Sequence, residues 1–356
     1  MSTIHFDVAV LGLGALGSAA AYHAAIKGAN VIGFERFDFG NVHGSSHDTS
    51  RIVRTLYGAP EVYMLTITGG VVFFSKPEES TGQAKSLDTN EFEKSTSAAE
   101  FTRSLDANGI PYELLDPEEV NKRWPEFNIP KGVKTVCTAD SGIVHASRSV
   151  MAMQYQARVH GAVLKEKTRV DRITPDGSGV AIETSQGPFH AAKVILTANL
   201  WINNLLTPLG AKIPPTVMQE QVTYFKPTYI SPFHKTKFPV WIWAGDKYFY
   251  GFPSYGSQPS RQALLDELTS FVDGLIPAKG QTLRMVTFQY AITLNRQFII
   301  SPLKRHKNII VGLGGGHAFK FAPAIGRVMA KLAIEGTTTE DISTFRIPNT
   351  GLKSKL

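Results

Sequence analysis

The clearest pattern lies near the N-terminus, where "HFDVAVLGLGALGSAAAYHAAIKGANVIGFER" passes from an apolar strand through a glycine turn into an alanine-rich helix and a second strand ending at Glu35. That order predicts a βαβ unit. Strand, glycine loop and amphipathic helix return near the other end, in "NIIVGLGGGHAFKFAPAIGRVMAKLAIEG". Between them, "AVLKEKTRVDRITPDGSGVAIETSQGPFHAAKVILTAN" predicts short strands with turns at "PDGSG" and "SQG". The segments "VTYFKP" and "FPVWIWAGDKYFYGFPSYG" predict an aromatic-rich antiparallel sheet with Trp241 and Trp243 in its core. "PEESTGQAKSLDTNEFEKSTSAAE" reads as a polar loop leading into a helix. No stretch approaches the ~18 uninterrupted apolar residues of a membrane span. The chain opens almost directly on a strand, so no secretory leader is expected.

The first glycine turn carries chemistry as well as shape. Gly12 permits a tight turn, Gly14 lets the backbone approach a pyrophosphate, and Gly17 allows close packing of helix on strand. The pyrophosphate then rests on the positive end of the helix, and Glu35 is placed to accept hydrogen bonds from ribose hydroxyls. A dinucleotide is expected, with NAD and FAD both open at this point. The following segment, "FDFGNVHGSSHDTSRIVRTLYG", supplies His43, His47, Arg51 and Arg54. A short helix from Ser50 on would put Arg51 and Arg54 on one face, able to bind an anion; a solvated basic loop is the alternative. His43 and His47 lack a third ligand at sensible spacing, so no metal is expected.

At 356 residues the chain is long enough for two domains. A single cysteine, Cys137, excludes an internal disulfide and reads as a small buried hydrophobe on a strand. The formal charge of +7 comes from scattered Lys and Arg without an aromatic-interleaved stripe. Nucleic acid is therefore not expected, and small anionic ligands are. The last residues, Ser354, Lys355 and Leu356, form a peroxisomal address read by an import receptor, so a peroxisomal protein is expected.

Several motifs taken together resemble the FAD-dependent amine oxidases that include monomeric sarcosine oxidase and peroxisomal L-pipecolate oxidase, within the D-amino-acid-oxidase-like group. They are "GSSHDTSRIVR", "NKRWPEF", "DSGIVHASRSV", "VILTANLWINNLLTPLG", "YFYGFP" and "GGGHAFKFAPAIGRVMAKL", spread from about Phe6 to Ile347. The resemblance implies a mixed fold, α/β plus α+β: a Rossmann-like, glutathione-reductase-like FAD domain and an antiparallel-sheet substrate domain. The FAD domain would be discontinuous, over 1–64, 138–212 and 289–347. The substrate domain would take 65–137 and 213–288, leaving 348–356 as a tail. Cofactor contacts would include Arg36, Ser46, His47, Arg51, Val170 against the adenine, Gly315, Gly316, His317 and Lys320. Arg54 and Lys320 would clamp the substrate carboxylate, although a surface role for Lys320 remains open. Tyr250 and Tyr290 match pocket tyrosines, with a place in the sheet core as the alternative.

Many members of the resembling family attach FAD through a cysteine thioether; Phe288 stands at that position, so non-covalent FAD is expected. The usual acid and histidine after the pocket tyrosine are replaced by Asn295, Arg296 and Gln297. The chain also looks short after Met64, where relatives carry a helix, and after Tyr255, where the sarcosine oxidases carry a strand with the lysine that activates oxygen; Arg51 or His47 would substitute for that charge only in part. The expected activity is oxidation of a secondary amine or imino acid, bound as its neutral form beside the cations, to an imine with release of hydrogen peroxide. The alternatives are a flavin dehydrogenase with another electron acceptor and a catalytically degenerate FAD-binding homologue. A monomer is expected.

Overall fold

The computed structural model describes residues 5–53, 65–75, 97–245, 248–254, 266–293 and 296–348. Arg54, Met64, Tyr255, Asn295 and the terminal Ser354, Lys355 and Leu356 lie outside them, as does most of the polar stretch before the helix Ala98–Ala107.

The first strand, His5–Leu11, lies in the middle of a sheet and pairs in parallel with Val31–Phe34 on one side and Gly187–Leu196 on the other. Val163–Lys165 and Ile309–Leu313 extend the parallel set, one at each flank. Ile299–Pro302 adds an antiparallel edge to the latter. The hairpins expected after residue 169 are present: Val170–Pro175, Val180–Thr184 and the first half of Gly187–Leu196 form an antiparallel meander. Alternate residues of the central strands enter different cores. Val8, Val10, Ile195 and Ile310 pack toward the helices, while Ala9, Leu11, Val194 and Leu196 pack toward the meander. A strand covered on both faces needs such a continuous apolar run.

Two helices lie together against this sheet, Ala15–Ile26 and Ala322–Glu335. Ala19, Ala20, Ala21 and Ala24 are fully buried, and their small side chains let the backbones approach closely. A Cβ on Gly326 would lie 2.6 Å from the carbonyl carbon of Ala19 and 2.7 Å from the nitrogen of Ala20.

A second, five-stranded sheet is built around Gly70–Phe74, antiparallel to Lys134–Thr138 and parallel to Val240–Ala244. Glu113–Leu115 and Tyr248–Gly251 form its edges. Trp241 and Trp243 are buried in its aromatic core with Phe73, Phe127 and Phe238. The expectation that "VTYFKP" shares this sheet is corrected. Thr216–Lys226 instead pairs with Gln281–Ile292 as a long separate ribbon, because the two strands satisfy each other's backbone groups along their whole length.

The helix expected from Ser50 is also corrected. Arg51–Val53 is a strand, antiparallel to Gly142–Val144, which also pairs with Leu65–Ile67. Ile52 and Val53 are β-branched and favour the extended backbone once a partner strand is available. Among the described residues no helix is long and apolar enough to cross a membrane.

The paired helices yield two predictions. Gly326→Ala should cost about 1–3 kcal/mol and lower the thermal midpoint. Gly274→Ala, whose Cβ would meet nothing within 4 Å, should be neutral or slightly stabilising in the same melts. His23, on the first helix, has its pKa pushed down to about 4, first by burial and then by the charge of Arg327. An unfolded chain takes up this proton near the ordinary value of 6.5, whereas the folded chain refuses it until about 4. Stability should therefore fall as pH drops from 6.5 toward 4, and denaturant titrations of His23→Leu should show a shallower fall.

Candidate active site

Between the end of the first strand and the start of the first helix the chain reverses within three residues. Gly12 makes this possible at φ +94°, in the left-handed region that favours glycine. The Thr197 hydroxyl donates to the Gly12 carbonyl at 2.8 Å, and the Thr197 amide to the Leu11 carbonyl at 2.9 Å. A Cβ on Gly17 would collide with the Gly12 carbonyl oxygen and come within 2.6 Å of the Thr197 hydroxyl. The turn is thus closed on its inner side. Gly14, Ala15 and Leu16, at the helix start, form part of a cavity wall and present the positive end of the helix to it.

Glu35 follows the second strand on the same wall. Its carboxylate accepts the Leu13 amide at 3.0 Å and the Phe37 amide at 3.1 Å. Burial pushes its pKa up, and the two amides oppose that shift. Arg36 lies over the Phe37 and Trp201 rings, at 5.3 and 6.0 Å from their centroids. Ser46 accepts the Ala15 amide at 3.0 Å, tying the following loop to the helix start.

The cavity occupies about 1140 Å³ and runs from Gly12 and Glu35 to Tyr290 and Lys320. It is larger than the ~300–1,000 Å³ of an ordinary small-molecule site. At the far end, Phe288 is the central contact. The Arg51 guanidinium sits 4.6 Å from its ring centroid, and the His47 ring meets it edge-on at 5.9 Å. Arg51 donates to the carbonyls of Ser50 and Ser45 at 2.6 and 2.9 Å, which fixes its plane. His47 is 5% exposed, and its Nε2 has no hydrogen-bond partner among the described residues. Burial and then the Arg51 charge lower its pKa, so the ring is neutral at neutral pH.

The second glycine run forms the opposite wall. Gly316 adopts φ +97°, and a Cβ there would sit 3.1 Å from the Tyr290 ring. Gly315, buried behind it, lies close to the carbonyl oxygens of Arg296 and Gln297. Lys320 occupies the turn Phe319–Phe321, at the start of the helix Ala322–Glu335.

Thirteen of the expected cofactor and substrate contacts line this cavity: Gly12, Gly14, Glu35, Arg36, Ser46, His47, Arg51, Val170, Tyr250, Tyr290, Gly316, His317 and Lys320. Gly17 and Gly315 lie behind the wall. Arg54 and Asn295 are outside the described residues. His43 packs on Phe37, with ring centroids 4.2 Å apart, and no group of three potential metal ligands occurs among the described residues.

Two features were missed. Glu220, on Thr216–Lys226, lines the far end, and its Oε2 accepts the Tyr290 hydroxyl at 2.6 Å. The available signal was a charged residue at the same alternation as Met218, Val222 and Tyr224 along one strand. Asp48 pairs with Arg284 at 2.9 Å and accepts the Tyr224 hydroxyl at 2.8 Å. Nothing local in the sequence pointed to those partners.

FAD fits this site. The glycine turn leaves room for a pyrophosphate, the cavity's volume of about 1140 Å³ suits a dinucleotide beside a small substrate, and the buried His47 Nε2 at its wall has no hydrogen-bond partner among the described residues. The chain's one cysteine, Cys137, is half-buried on Lys134–Thr138, its pKa raised by burial, and it does not line the cavity. FAD is therefore held without a cysteine thioether.

Comparison with known proteins bears on the same point. Residues 7–332 match the family described as FAD dependent oxidoreductase. Monomeric sarcosine oxidase from Bacillus sp. (strain B-0618) is 28% identical over 389 aligned residues, covering 100% of this chain and 99% of the relative. Its alignment is longer than this 356-residue chain, so it carries stretches that this chain lacks. Peroxisomal sarcosine oxidase from Homo sapiens is 26% identical, covering 96% of this chain and 95% of that one. Among solved structures, NikD, an unusual amino acid oxidase essential for nikkomycin biosynthesis, superposes with a TM-score of 0.77 at 24% identity, over 97% of this chain and 98% of its own. With the family match running through both glycine runs and the cavity between them, this chain belongs to the FAD-dependent oxidoreductase family and is an enzyme with non-covalently bound FAD.

Proposed function

We infer that the protein oxidises a secondary amine or imino acid bearing a carboxylate, of the sarcosine or pipecolate kind, at its C–N bond, giving an imine and hydrogen peroxide. The observation that carries this reading is the far end of the cavity, which Lys320, Arg51, Tyr250 and Tyr290 all line. Bound FAD supplies the two-electron acceptor and the route to oxygen. Lys320 holds the substrate carboxylate as a point charge, with Arg54 as the second cation of the clamp. Tyr250 and Tyr290 close the sides of the pocket. Arg51, planar against Phe288, and His47 place fixed polarity where negative charge develops on the cofactor side. The relatives named as sarcosine oxidases support the amine class.

The flavin unit in this reading comprises 1–64, 138–212 and 289–347, and the substrate unit 65–137 and 213–288, with the protein acting as a monomer. The large sheet draws its strands from the first set of segments, which supports that division. The human relative's name and the tripeptide Ser354–Lys355–Leu356 support a peroxisomal location through the import receptor. A fluorescent protein fused to the N-terminus should collect in peroxisomes and disperse when Leu356 is deleted; a diffuse signal from the full fusion removes this part.

The activity is tested by anaerobic absorbance scans with a panel of N-methyl and cyclic imino acids, followed by air and a peroxide assay. Bleaching of the flavin and stoichiometric peroxide are expected. Bleaching without peroxide assigns another electron acceptor, and no bleaching by any member of the panel rejects the reading. Lys320→Met should retain FAD but weaken substrate binding on the order of tenfold or more, read as a rise in KM larger than the loss in kcat.

A further inference from the structure

The cavity's cations suit a carboxylate, yet an amino acid in water is a zwitterion, and its ammonium must lose a proton before the nitrogen lone pair can take part in oxidation. The pocket therefore needs a counter-charge for the nitrogen. Glu35, Asp171 and Glu220 are the carboxylates among the described residues lining the cavity, and the first two belong to its nucleotide end, beside the Gly12 turn and Val170. Glu220 alone stands at the substrate end. It is half-buried, directly opposite Phe288 in the ribbon, and the Tyr290 hydroxyl donates to its Oε2 at 2.6 Å.

The geometry points to Glu220 as the group that receives the substrate's ammonium and accepts its proton, so that the substrate enters as a zwitterion with its carboxylate toward Lys320. This rests on the amine-oxidising reading above and replaces the expectation that the cations select a neutral amine. In the step itself one N–H bond of the ammonium breaks and one O–H bond forms on the Glu220 carboxylate. The electron pair remains on nitrogen, and no oxidant is consumed. Tyr290 keeps its own proton and, through its hydrogen bond to Oε2, fixes the orientation of the Glu220 carboxylate.

The charged and titratable groups around Glu220 are compatible with this role. Tyr290 lies on the paired strand, Lys320 and His317 on the glycine run, His47 on the loop before Arg51 and Arg51 at the start of its strand, Tyr248 and Tyr250 on the five-stranded sheet, and Arg296 after the ribbon. The permanent cations make the arriving ammonium more acidic, which favours release of its proton to a carboxylate. His47 is the competing base, but it is buried against Phe288.

Two measurements on the FAD-loaded enzyme test the assignment. The first needs no variant: binding of trimethylammonioacetate is compared with that of its uncharged isostere 3,3-dimethylbutanoate, through perturbation of the visible flavin spectrum. The cation should bind tighter on the order of tenfold. Equal or reversed affinity overturns the proposal. The second follows anaerobic flavin reduction by a substrate amine against pH. Glu220→Gln should keep its FAD, lose about 10²-fold in rate near neutral pH and recover as the free amine fraction grows with pH. An unchanged pH profile in Glu220→Gln also overturns the proposal. If the parent prefers the ammonium ligand yet no amine reduces its flavin, the oxidase reading fails while the ammonium site stands. If amines reduce it but neither Glu220 signature appears, the oxidase reading stands and this assignment fails.

Discussion

The ion pair between Asp48 and Arg284 ties the loop that precedes Arg51 to the long ribbon, where that loop makes other contacts as well. The Asp48 side chain is 2% exposed, and a carboxylate so placed is tolerable only when its charge and lone pairs are answered. Arg284 answers one oxygen and the Tyr224 hydroxyl the other, while the Asp48 carbonyl accepts both the amide and the hydroxyl of Ser147. These partners come from the long ribbon and from the helix Ala146–Val159. The immediate neighbours of Asp48 carry the site: Ser46 caps the first helix, His47 and Arg51 flank Phe288, and Thr49 bonds Tyr224 at 2.7 Å. Asp48 adopts φ +78°, a conformation that costs a non-glycine residue on the order of 1 kcal/mol. The loop keeps that conformation because its partners fix it from several sides.

Close backbone approach sets the shape of the space this loop lines. At the Gly12 turn, strand, helix and Thr197 come together too closely for any side chain on Gly17. At Gly326 the two helices meet with the same intolerance. The cavity therefore has a rigid floor at its nucleotide end. Its substrate end is built differently, lined by side chains from the ribbon, the edge of the five-stranded sheet and the turn bearing Lys320. A substitution at that end can alter ligand choice without disturbing the packing that holds the nucleotide.

The legibility of the sequence follows this same division. Gly12, Gly14, Gly17 and Glu35 could be read because the demands of a tight turn, a helix start and a strand end are local, falling within a few dozen residues. The second glycine run was legible for the same reason. Arg51 was misplaced on a helix because its conformation is decided by pairing with Gly142–Val144, about ninety positions on. Glu220 went unseen because Tyr290, the residue that marks it as a pocket group, is 70 positions away. Asp48 and Arg284 are 236 apart, and no periodicity links residues at that distance. What stayed hidden was cross-strand and cross-sheet pairing, which depends on register and not on the type of element.

Charge is partitioned along the cavity in a way that gives direction to a ligand. At the nucleotide end the helix dipole supplies positive potential together with Arg36, and Glu35 stands beside them, placed to take hydroxyl donors. At the other end formal cations dominate, with one acid set among them. Cations alone would attract any small anion, and they would favour the neutral form of an amine at the cost of binding a minority species near neutral pH. A carboxylate held by a tyrosine hydroxyl within that field changes the selection: a simple anion gains less, and a ligand carrying both signs gains at both poles. Discrimination against the wrong ligand then comes from the repulsive member of the set as much as from the attractive ones.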